Sequence, residues 1–124
     1  AMSLSNLGCM LSYFGRREEA LEVTKEAVEN YRALAETKPD AFIGNLTKSL
    51  GAMGSVLFGM GRHVEATEAF HEGLTVIVGM VERYPEALGG LAAGLAGYYI
   101  KAVEGAGGKK DAKLLERVAK AVKA

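Results

Sequence analysis

Catalysis and metal binding need a nucleophile or ligands within reach of a base and an orienting group. Few residues of those types occur in this sequence of 124 residues: one cysteine, Cys9, and two histidines, His63 and His71. The histidines stand about 12 Å apart along a helix, too far to share one ion directly. Glu68 and His71 fall at helical spacing, which makes half a metal site at most and is more simply an exposed pair. Cys9 has no charged neighbour to lower its pKa, so it reads as a small, partly buried thiol rather than a nucleophile. The glycine-rich stretch 105–111 superficially suits a phosphate loop. A Walker motif, however, needs glycine where Val103 stands and serine or threonine where Lys110 stands. No catalytic residue, metal ligand or cofactor is expected; an enzyme built on Cys9 or the histidines would need cooperating groups that the sequence does not offer.

The bulk numbers describe an ordinary soluble globular chain. Roughly half the residues are apolar and only two are proline, and the length suffices for one core without disulfides. Fifteen basic and fifteen acidic residues cancel, so the long-range field that draws proteins to nucleic acid or to anionic membranes is missing. The uncharged stretch 87–100 is about fourteen residues long, short of the roughly twenty needed to span a bilayer. A lone cysteine suits a reducing compartment, so a cytoplasmic location is expected, with no nucleic-acid or membrane partner.

What organises the chain is internal repetition. Shifting the sequence by 46 residues lays Ser3, Leu4, Gly8, Leu11, Gly15, Arg16 and Ala20 on Ser49, Leu50, Gly54, Leu57, Gly61, Arg62 and Ala66. Glu26 then meets Glu72 and Pro39 meets Pro85, and a weaker third copy follows in which Gly107 and Ala112 align with Gly61 and Ala66. Within each unit apolar residues recur every three or four positions, as in Leu4, Leu7, Leu11 and Phe14. Glycines and prolines punctuate them where helix ends and starts prefer those residues. The expectation is therefore all-α: about three antiparallel helical hairpins over residues 3–39, 40–85 and 86–124, in one domain. Its six helices span 3–14, 17–37, 40–59, 63–84, 86–105 and 110–123. The β-branched stretch 74–81 could pass alone for a buried strand, but its register against 27–34 assigns it to a helix.

Asn6-Leu7-Gly8, Leu11, Gly15-Arg16, Glu18-Glu19-Ala20-Leu21, Ala27 and a closing Pro39 resemble the tetratricopeptide repeat signature. The step of 46 exceeds the family's usual 34 and is closer to its long-repeat subclass, as in kinesin light chains and STAND-type signalling ATPases. A HEAT-like array also brackets that period, without explaining the Leu-Gly and Gly-Arg pairs. The resemblance implies a right-handed superhelix of stacked hairpins whose small residues, Gly8 with Ala20 and Gly54 with Ala66, let paired helices approach. It also implies a noncatalytic scaffold binding a protein or peptide on a concave face lined by the first helix of each unit.

That face carries over to Ser5, Asn6, Cys9, Ser12 and Tyr13, then to Lys48, Ala52, Ser55 and Phe58, then to Tyr98, Lys101 and Glu104. The basic clamp of chaperone-binding members is absent, since Ser5, Cys9, Ala52, Gly94 and Tyr98 hold its places. Glycines 51, 54, 59, 89, 90, 94 and 97 in or beside first helices each cost roughly 1 kcal/mol against alanine, which close helix packing would offset at the expense of groove depth. The chain is expected to be a piece of a longer protein, with a homodimer or upstream repeats covering its first helix. The alternative function is a sensor or self-association arm of a multidomain signalling ATPase.

Overall fold

The computed structural model describes residues 16–123; the helix expected over 3–14 lies outside them. Five helices follow in chain order: α1 Arg17–Thr37, α2 Pro39–Gly59, α3 His63–Arg83, α4 Pro85–Ala106 and α5 Ala112–Lys123. The boundaries repeat at the 46-residue step, α1 falling on α3 and α2 on α4 to within one residue. No strand occurs among the described residues, and the stretch 74–81 lies inside α3.

Local chemistry explains why the same ends are made twice. Lys38 and Tyr84, one step apart, have φ −136 and −133° with ψ 71 and 62°, outside the helical region, because the ring of the proline that follows clashes with a helical predecessor. Each helix therefore stops there, and Pro39 or Pro85 opens the next, where a missing N–H costs nothing. At the other ends Gly61 and Gly107, again one step apart, take φ of 77 and 68°, a left-handed conformation that favours glycine. Beyond them the Arg62 and Gly108 amides donate back to the Leu57 and Val103 carbonyls at 2.9 and 3.1 Å. At the starts of α1 and α3, Arg16 pairs with Glu19 and Arg62 with Glu65.

With linkers this short, consecutive helices must run antiparallel, and each packs along the next, while α3 also meets α5. The core lies around α3: Phe70, Leu74, Ile77, Val78 and Val81 are all buried. They pack with Val56 and Leu57 of α2, Ala92, Leu95, Tyr99 and Val103 of α4, and Val118 and Ala121 of α5. A helix covered on so many sides takes β-branched residues at little cost, since tertiary burial outweighs propensity. Ala20 and Ala66, the step-related small residues, are fully buried. No helix among the described residues is long and apolar enough to cross a membrane.

Candidate functional site

Helices α2 and α4 touch only slightly, because α3 stands between them and holds them apart. The gap is an open trough of 380 Å3, with Thr47, Lys48, Gly51, Ala52 and Ser55 of α2 on one wall and Gly90, Leu91, Gly94, Leu95 and Tyr98 of α4 on the other. It continues into a second lobe of 330 Å3 between Ser55, Phe58, Gly59, Phe70, Tyr98 and Lys101. These volumes suit one or two side chains of a ligand.

The α2 wall is one helix face, since Lys48, Ala52, Ser55 and Phe58 recur at three and four residues. One step on, 94, 98 and 101 place the equivalent face of α4 opposite it. All six groove residues expected from the sequence within the described region, Lys48, Ala52, Ser55, Phe58, Tyr98 and Lys101, line one lobe or both. Ser5, Asn6, Cys9, Ser12 and Tyr13 lie outside the described residues. Glu104 is exposed and lines neither lobe.

The floor between the lobes is aromatic. Phe70 of α3 lies under Gly54, where an added Cβ would come within 2.6 Å of the Phe70 ring. Phe70 in turn stacks on Tyr98, with ring centroids 5.8 Å apart and planes tilted by 16°. Tyr98 keeps 55 % of its surface exposed and Phe58 38 %, large apolar areas to leave in water. The charge of the lining is one-sided: Lys48 and Lys101 are exposed, the Lys101 ammonium stands 6.0 Å over the Tyr98 ring, and no carboxylate lines either lobe.

Close packing accounts for only some of the glycines. Gly51 meets Leu95 and Gly54 meets Phe70, as do Gly73 with Leu95 and Gly105 with His63. Glycines 90, 94 and 97, by contrast, would place a Cβ in open space. Gly90 and Gly94 thus deepen the trough rather than narrow it; Gly94 already held a clamp place in the sequence, whereas Gly90 was not evident there because a glycine's reason is tertiary.

The residues weighed for chemistry are placed elsewhere. His71 does not join Glu68; its Nε2 lies 2.8 Å from Asp111 Oδ2. The other Asp111 oxygen accepts from the Leu114 amide at 3.1 Å, and the Asp111 amide donates to the Tyr99 hydroxyl at 2.9 Å. The His71 bond foremost, and the Leu114 amide next, hold the Asp111 carboxyl below its ordinary range. This node caps α5 and ties it to α3 and α4; spanning forty residues, it left no local signal in the sequence. Among the described residues no three histidine, cysteine or carboxylate side chains converge as metal ligands.

Against known proteins, a family model described as a tetratricopeptide repeat matches residues 1–38. No curated protein and no solved structure matches the chain.

Proposed function

We propose that this chain, whose first 38 residues carry a tetratricopeptide repeat, is a noncatalytic interaction module that takes a protein or peptide segment in the trough between α2 and α4. Repeats of this family suggest protein partners, and the geometry supports a particular surface for them. The observation that carries the reading is the convergence of Lys48, Ala52, Ser55, Phe58, Tyr98 and Lys101 on one two-lobed apolar trough. An apolar side chain entering beside Phe58 and Tyr98 gains burial worth about 1.5–3 kcal/mol, and the two lysines offer donors to carbonyl or carboxylate oxygens along the rim. A cytoplasmic setting fits the lone cysteine.

Selection of a random peptide display library on the immobilised chain tests this. The best peptides are then titrated against Ser55→Trp, which fills the junction of the lobes, Phe58→Ala, and Val64→Ala as a control at a residue 61 % exposed elsewhere on the surface. Tenfold or greater weakening by the first two, with the third unchanged, is expected. Peptides that bind all three variants as tightly as the parent rule the trough out.

A further inference from the structure

The trough between α2 and α4 offers donors and almost no acceptors. The ammonium groups of Lys48 and Lys101 only donate. The Thr47 hydroxyl is buried and spends its proton on the Ile43 carbonyl at 2.9 Å. No asparagine, glutamine, aspartate or glutamate among the described residues lines either lobe, which leaves the hydroxyls of Ser55 and Tyr98 as the exposed side-chain acceptors. From Thr47 to Ser55 and from Gly90 to Tyr98 the walls are helix interior, so their carbonyls are already taken up by the amides four residues on. An extended peptide pressed into such a lining would leave several of its N–H groups without a partner, a cost comparable to a lost hydrogen bond for each. A helix satisfies its own backbone.

The shape of the lining agrees. Gly90 and Gly94 stand one turn apart on α4, and a Cβ on either would meet nothing within 4 Å. With Ala52 and Ser55 on the other wall, the sides are cut back where a cylinder about 10 Å wide has to enter. From Gly51 in one lobe to Phe58 in the other is two turns of α2, about 10 Å, the spacing of side chains at i and i+7 on a helix lying along the trough. Charge selects the flanks of that helix. Lys48 stands on the α2 wall, level with its step-equivalent Gly94, and Lys101 on the α4 wall, level with Ser55. The two cations therefore face each other diagonally, two turns apart. The exposed Glu86 and Glu104 lie a turn beyond either end of the α4 wall, which confines the positive potential to the middle of the trough.

We propose that the occupant of the trough is an acidic amphipathic helix, with apolar side chains at i, i+3 or i+4 and i+7 turned into the two lobes and carboxylates on both flanks of that stripe against Lys48 and Lys101. The proposal rests on the trough being the binding surface and adds the conformation and the charge of what binds there.

The probes that test it are the peptides selected on the chain whose binding Ser55→Trp abolishes, labelled with 13C. Their bound Cα shifts are expected to be helical over about ten residues, the length of the trough walls. Proline at a central, solvent-facing position of the peptide weakens binding at least tenfold, since it breaks a helix and not an extended strand. Replacing the flanking carboxylates by amides weakens it by roughly threefold to tenfold at low salt, a difference that disappears in high salt. Lys48→Glu weakens the acidic peptides to a similar degree and favours versions whose flanking glutamates are changed to lysine, a reversal that a misfolded variant would not show. Peptides that respond to Ser55→Trp but bind with extended shifts and tolerate proline, or are unmoved by the amide replacement and by Lys48→Glu, overturn the proposal and leave the trough as the binding surface. If no selected peptide responds to Ser55→Trp, the proposal and the choice of the trough both fail.

Discussion

At Gly54 a methyl group has nowhere to go. Its carbon would lie 2.6 to 2.9 Å from three atoms of the Phe70 ring, and Phe70 is held by its stack on Tyr98. Gly54→Ala is therefore expected to lower stability by about 1–3 kcal/mol, seen as a shifted denaturant midpoint, although alanine is the better helix former. Gly90→Ala is expected to do the reverse: with open space around the new Cβ, it raises stability by up to about 1 kcal/mol while weakening binding of any ligand that uses the trough wall. The two midpoints and one titration check both. Asp111 supplies a pH dependence. Its folded carboxyl is held below the ordinary 3.8, first by His71 and then by the Leu114 amide. A depressed acid stabilises the fold above its unfolded pKa, and that contribution disappears as pH falls through the lower, folded value. The docking of α5 should weaken over that acidic interval, and Asp111→Asn should remove the dependence; amide exchange in α5 against pH reads it.

Among the described helices, α3 holds the array together, since it packs on α2, α4 and α5 and supplies the centre of the core. Leu74→Ala, at a fully buried position, is expected to cost about 2–5 kcal/mol and to unfold α2 through α5 in one transition, measurable by circular dichroism during a urea titration. The element pattern was legible in the sequence because its punctuation is covalent and local. Pro39 and Pro85 force the residue before them out of the helix, and Gly61 and Gly107 supply the left-handed turns, so the expected spans agree with α1 to α5 within about two residues. Three things were not legible: the open faces of glycines 90, 94 and 97, the tie from Asp111 to His71, and the position of Glu104 off the trough. Each depends on which helices become neighbours across forty or more residues, and a spacing rule along one helix carries no information about that.

For the whole molecule, repetition does the structural work and departures from it open the surfaces. A hairpin buries its apolar side only by stacking on the next, and Gly94, which stands where Lys48 does one step earlier, helps leave a trough in the stack. The cross-helix ion pairs from Arg32 to Glu72 and from Arg117 to Glu82 are exposed and add little in physiological salt; burial around α3 dominates.

Amide chemical-shift mapping of a peptide selected on the chain tests the proposed contact surface most directly. The expected perturbations lie along residues 47–59 of α2 and 90–101 of α4, with the Phe70 and Tyr98 ring resonances moving together. Shifts confined to α1 or α5, with the trough residues unmoved at saturation, would contradict it.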